Sequence, residues 1–264
     1  MKDKIAIVSG GSSGIGLNIA ENLVREGYTV YNLSRRNFIH SNILHIPCDV
    51  SDENVVRQAV HKVFDNHGCI SLLVCCAGFG IAGAVEFTSL EDAKKQMDVN
   101  FFGTVNLIKA VVPFMRKNKY GKIACISSVA GAIPIPFQNF YSVSKAAINA
   151  YTFALINEIK EFNIQVTSIL PGDIKTNFTG VRKTSLFGDD IYKGRIHRSI
   201  SKMEKDEQSG MASEIAAKKI MRIINRKNWK PQYCVGFQYS FLTVLSRLLP
   251  IRLTAYVIKK MYAE

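Results

Sequence analysis

Directly behind an apolar run, Ile5 to Val8, the chain reads Ser9-Gly10-Gly11-Ser12-Ser13-Gly14-Ile15-Gly16 and passes into a helical pattern from Leu17 to Glu26, ended by Gly27. A buried strand that turns on glycines straight into a helix is the head of a βαβ unit. The glycines permit positive φ and close approach of the backbone, and the helix N-terminus turns free N–H groups toward an anion. Few other features of a sequence restrict the fold so far.

The same alternation continues down the chain. Thr29 to Leu33, Ile43 to Ile46, Ser71 to Cys76, Lys122 to Ser127 and Gln165 to Leu170 read as short apolar strands. Between them lie helical stretches. Glu53 to Asn66 carries Val55, Val56, Ala59, Val60, Val63 and Phe64 on one face; Leu90 to Lys117 is long, with a break near Asn100; Tyr141 to Phe162 follows. Unbroken apolar strands separated by helices predict a parallel sheet covered on both faces, and right-handed crossovers make it a doubly wound α/β sandwich of Rossmann type. No linker divides residues 1–264, which are read as one domain. After Pro171 the texture changes. Residues 180–210 are polar and weakly periodic, predicting a mobile flap; Ser213 to Lys227 looks helical; 237–262 is apolar, interrupted by Pro250.

Composition removes several classes. A hydrophobic fraction of 47% excludes a disordered chain. The net charge of +13 is spread along the sequence rather than clustered with aromatic residues, so nucleic acid is not an expected partner. No apolar stretch reaches the roughly 18 residues of a membrane-spanning helix, and Met1 to Ser9 leads directly into a strand with no room for a signal peptide. Cys48, Cys69, Cys75, Cys76, Cys125 and Cys234 form no CxxC pair, and the five histidines show no metal-ligand spacing. A reduced, metal-free, cytoplasmic protein is expected.

The end of the second strand, about 20 residues past the glycine turn, is where a dinucleotide fold distinguishes its cofactor. It reads Leu33-Ser34-Arg35-Arg36, with no acid to bond a ribose hydroxyl and two guanidiniums suited to a 2′-phosphate, which points to NADP(H). Tyr141 and Lys145 are spaced i, i+4 and so project from one helix face, where an ammonium would stabilise the phenolate of a tyrosine acid–base. Ser128 stands at the C-terminal end of a strand, the edge at which ligands bind.

With Cys48-Asp49-Val50, Cys75-Cys76-Ala77-Gly78, Asn100, Ile126-Ser127-Ser128-Val129-Ala130-Gly131, Tyr141-Ser142-Val143-Ser144-Lys145 and Pro171-Gly172, the chain from residue 3 to about 178 resembles the short-chain dehydrogenase/reductase family. Phe79-Gly80, Asn100 to Gly103 and Pro136-Phe137 are most similar to its 17β-hydroxysteroid and retinol dehydrogenase-like branch. The resemblance implies a tetrad of Asn100, Ser128, Tyr141 and Lys145: Tyr141 to protonate the carbonyl oxygen, Ser128 to orient it, Lys145 to hold the nicotinamide ribose, Asn100 to anchor a relay water. It also implies cofactor contacts from Gly10, Ser12, Ser13, Gly14, Ile15, Gly16, Asp49, Val50, Cys76, Ala77, Gly78, Pro171, Gly172, Ile174 and Thr176, and a homodimer or homotetramer. One departure bears on the site: Cys76 replaces the family's asparagine beside the adenosine, which puts cofactor contact or strand linkage there in doubt. Ser9 replaces a threonine and keeps its hydroxyl.

Phe79, Ile81, Ile133, Ile135, Phe137, Phe140 and Phe178 are candidate walls of a pocket for a bulky apolar substrate. The tail has apolar residues at helical spacing with Arg and Lys outside them, suited to a lid, an interface or peripheral contact with a membrane. The expectation is an NADP(H)-dependent, hydroxysteroid dehydrogenase-like oxidoreductase that interconverts a lipophilic ketone and its secondary alcohol. The alternatives are a 3-oxoacyl-thioester reductase and a dinucleotide-sensing binding protein.

Overall fold

The computed structural model describes residues 4–264. Seven strands form its central sheet: β1 (Ile5–Ser9), β2 (Thr29–Ser34), β3 (Ile43–Pro47), β4 (Leu72–Cys75), β5 (Gly121–Ile126), β6 (Ile164–Pro171) and β7 (Gln232–Val235). Their order is β7-β6-β5-β4-β1-β2-β3 and every neighbouring pair is parallel. The direction of winding reverses between β1 and β4, and the crevice beyond their C-terminal ends is the ligand position of such sheets.

The two-residue period of β1 explains the three layers. Ile5 and Ile7 point into one core with α2 (Glu53–His67), α4 (Gly103–Lys117) and α5 (Asn139–Ile159). Ala6 and Val8 point into the other, with α1 (Gly14–Arg25) and α8 (Ser213–Ile224). In β4 and β5, Cys75 and Cys125 are register partners, buried and hydrogen-bonded to one another through their thiols. The expected break near Asn100 is a π-helical turn, Asp98–Phe102, between α3 (Leu90–Met97) and α4. Such turns frequently mark functional positions.

Within the expected flap, residues 180–210, lies α7 (Arg195–Gln208), which buries Ile196, Ser199, Ile200 and Met203 at i, i+3, i+4 and i+7 and brings Met203 and Glu207 to the cavity described below. The strand β7 has no counterpart in the sequence reading; it is short, and only Val235 of its four residues is buried. A single turn, α6 (Phe178–Val181), precedes α7, and the tail forms two helices, α9 (Phe237–Leu248) and α10 (Ile251–Tyr262), separated at Leu249-Pro250 as predicted.

Candidate active site

The glycine turn leaves β1, Arg35 and Arg36 leave β2, Asp49 and Val50 follow β3, Cys76 to Gly78 follow β4, Ser128 follows β5, and Pro171-Gly172 closes β6. All these residues line one cavity of about 1110 Å³. Gly10 adopts φ +67°, and a Cβ there would stand 2.9 Å from the Ala77 backbone, so the turn packs against the chain leaving β4 only as glycine. Ser9 Oγ accepts hydrogen bonds from the Cys76 and Ala77 amides at 3.1 and 3.2 Å. The strand linkage put in doubt by Cys76 is therefore supplied by the serine hydroxyl.

Ser12, Ser13, Gly14, Ile15, Gly16, Ile174 and Thr176 line the same space. Arg35 and Arg36 are exposed at its rim, and Arg35 Nη1 lies 3.9 Å from Asp49 Oδ2. Burial works against ionised Asp49. Hydrogen bonds from the Ser51 side chain and amide, with the Arg35 charge, nevertheless hold its carboxyl below the usual range. An open glycine turn, a rim at the end of β2 and a channel running on to Tyr141 fit a dinucleotide.

Beyond that channel, Tyr141 and Lys145 occupy the first turns of α5. Lys145 Nζ donates to the Ile126 carbonyl at 2.9 Å and stands 5.7 Å from the centroid of the Tyr141 ring. The Tyr141 hydroxyl is hydrogen-bonded to Ser128. Desolvation dominates both titrations. It lowers Lys145 to about 8, and raises Tyr141 to about 12 despite the Ser128 bond and the Arg182 charge, with Glu207 adding to the rise. Tyr141 is thus a protonated phenol poised to donate, beside a lysine that loses its charge at about 8.

Asn100 is fully buried in the π-turn and does not face the cavity. Its Oδ1 accepts from the Phe79 amide at 3.0 Å, and its Nδ2 donates to the Phe79 carbonyl at 3.0 Å and to Ser144 Oγ at 3.1 Å. The carboxamide holds Phe79 in the cavity wall, so the side chain is committed to protein rather than to a water. The main-chain carbonyl of Asn100 also accepts from Thr104 Oγ1 at 3.0 Å.

Of the expected substrate wall, Phe79, Ile133, Ile135 and Phe178 line the cavity. Phe178 stacks obliquely near Tyr141, ring centroids 5.5 Å apart. Phe137 does not: with φ +59° it turns into a separate cluster with Ala82, Ala84, Ile196, Ile200 and Met203 beneath α7. Ile81, nearly fully buried, and Phe140 also lie outside the cavity lining. The wall that sequence reasoning left open comes from the C-terminal helices, through Leu242, Leu245, Leu249, Val257, Ile258 and Met261. Between it and Tyr141 lie polar groups also not anticipated. Tyr239 donates to Asp173, and the Glu207 carboxylate receives Arg182 and, at 2.6 Å, the Thr179 hydroxyl.

Comparisons with known proteins agree with this architecture. The short chain dehydrogenase family model matches residues 4–185. The 3-ketodihydrosphingosine reductase of Bacteroides thetaiotaomicron is 38% identical over 267 aligned residues, covering 100% of this chain and 99% of that protein. A short-chain dehydrogenase from Streptomyces avermitilis superposes with a TM-score of 0.84 at 25% identity, over 98% of this chain and 97% of that one. ElxO with NADP bound superposes with a TM-score of 0.75 at 25% identity, over 91% and 100%. The chain belongs to the short-chain dehydrogenase family of oxidoreductases.

Proposed function

We propose that this protein is an NADP(H)-dependent reductase of a lipophilic, long-chain ketone, with a 3-keto sphingoid base as the specific candidate substrate. The observation that carries the reading is the cavity that runs from Ser128 and Tyr141 to an apolar wall on α9 and α10. An aliphatic chain would lie along Leu242, Leu245 and Ile258 while its ketone meets the tyrosine. The full-length similarity to a 3-ketodihydrosphingosine reductase supports the same class. We expect a homodimer or homotetramer.

When bound, the nicotinamide supplies the hydride. The chain's own residues do the rest. Ser128 donates to the ketone oxygen and holds it beside Tyr141, whose hydroxyl delivers the proton as charge develops there. Lys145 stabilises the resulting phenolate. The Asn100 carboxamide positions Phe79 against the substrate. Gly10 to Gly16 take the pyrophosphate on backbone N–H groups, and Arg35 and Arg36 take the 2′-phosphate.

Three results test the reading. A panel of long-chain 3-keto bases, ketosteroids, retinoids and 3-oxoacyl thioesters, followed by NADPH oxidation, should favour the long-chain ketones; turnover of thioesters alone would overturn it. Arg35→Ala should reduce the preference for NADPH over NADH by about tenfold, the scale of one charge-assisted contact, and unchanged selectivity would remove the cofactor assignment. Third, kcat/KM for reduction reports ionisations of the free enzyme. Tyr141 stays protonated well past neutrality while Lys145 loses its charge at about 8. The profile should therefore be level below that pH and decline above it, and Lys145→Met should remove the break.

A further inference from the structure

α9 carries two neighbouring apolar stripes, and α10 carries one, with Arg252, Lys259 and Lys260 on its other side. Leu242, Leu245 and Leu249 of the first stretch, and Ile258 and Met261 of the second, face the cavity. On the stripe beside it, Phe241, Val244 and Leu248 of α9 are 61%, 58% and 77% exposed, and Ile251, at the start of α10, is 84% exposed. On α10, Leu253 and Tyr256 are exposed among Arg252, Lys259 and Lys260. Isolated exposed apolar residues need no explanation, but an exposed apolar stripe at helical spacing along α9 does.

We propose that this outer side of α9 and α10 docks on an anionic lipid bilayer, so that the cavity takes its substrate from the membrane through the same pair of helices. The proposal rests on the lipophilic-ketone reading for its second clause only. Charge chooses the occupant. From 237 to 264 the chain carries Arg247, Arg252, Lys259 and Lys260 against Glu264 alone. All four cations are exposed. Basic side chains bordering an apolar helical side match an anionic headgroup layer, whereas a second copy seated on this surface would set the same cations against each other. Length fixes the mode. Each helix has 12 residues, about 18 Å, too short for a hydrocarbon core of about 30 Å, and no helix among the described residues is long and apolar enough to cross a membrane. The pair would therefore lie in the interface plane, its outer residues among acyl chains and its inner residues facing the cavity.

The test is co-sedimentation of the full-length protein with phosphatidylcholine vesicles containing or lacking phosphatidylglycerol, beside light scattering of the free protein. Wild type should pellet with the anionic vesicles and release in high salt. The combined variant Phe241→Ser, Val244→Ser, Leu248→Ser and Ile251→Ser should lose about tenfold or more of that partitioning. It should still oxidise NADPH with a short, water-soluble ketone at the wild-type rate, because none of the four residues lines the cavity. Arg252→Glu, a surface change that spares the packing, should weaken partitioning to anionic vesicles only. Wild type remaining in the supernatant with both vesicles overturns the proposal. So does an oligomer that the four-residue variant breaks to monomers, which would make the surface a contact between copies. Vesicle binding without turnover of any ketone leaves docking supported and removes the substrate reading instead.

Discussion

Tyr141→Phe is expected to reduce ketone turnover by about 10³-fold while leaving NADPH affinity within about twofold, the scale of losing a positioned proton donor. The removed atom is small and its neighbourhood is rigid. The ring keeps its place between Phe178 and Lys145, so the cavity does not change shape. What disappears is the phenol that burial keeps protonated up to about 12 and that Ser128 orients by a hydrogen bond. Isothermal titration with NADPH and single-turnover absorbance separate the two effects. Equal losses of binding and turnover would mean the hydroxyl supports the cofactor rather than the proton transfer.

The second large effect is on stability. Glu207→Ala should destabilise the protein by about 3–5 kcal/mol, because it leaves the Arg182 charge buried without its partner. The Arg182 side chain is 0% exposed, Glu207 15%, and the other guanidinium nitrogens have no further acceptor among the described residues. Urea unfolding measures the loss. Arg182→Met with Glu207→Leu, which removes both charges and keeps apolar volume, should recover most of it. There is also a local readout. Glu207 adds to the rise in Tyr141 and Arg182 opposes it. The single variant should therefore lower the ionisation midpoint of Tyr141, seen by ultraviolet titration. A loss below about 1 kcal/mol would place the pair at the level of a solvent-exposed bridge.

The sheet and its cofactor edge were legible because both depend on local patterns. Ile5 to Val8 is apolar on two faces, which only a covered parallel strand requires, and the glycines after Ser9 answer a need of the backbone alone. Tyr141 and Lys145 could be paired by helical spacing. Phe137 could not be placed, since its left-handed backbone turns it away from the pocket its neighbours suggest. In α7, Ile196, Ser199, Ile200 and Met203 had the right spacing but were diluted by charged residues on the exposed side, so the pattern read as a loop. The contacts of Asp173 with Tyr239 and of Arg182 with Glu207 join segments 66 and 25 residues apart, and no local signal carries them. Asn100 shows the limit most directly. Its motif marked an important residue, but the partners of its carboxamide emerged only in three dimensions.

The thiol pair Cys75 and Cys125 lies in the middle of the sheet, in strands that neighbour one another beneath Lys145. Both sulfurs lie in the core between the sheet and the helices α2, α4 and α5, so a reagent reaches them only when that helical layer lifts. Their labelling under native conditions thus acts as an internal clock for the rarest opening of the fold, whereas half-exposed Cys69 and Cys234 record the frequent ones. A protein of this design reports its own kinetic lifetime through residues that its chemistry never uses.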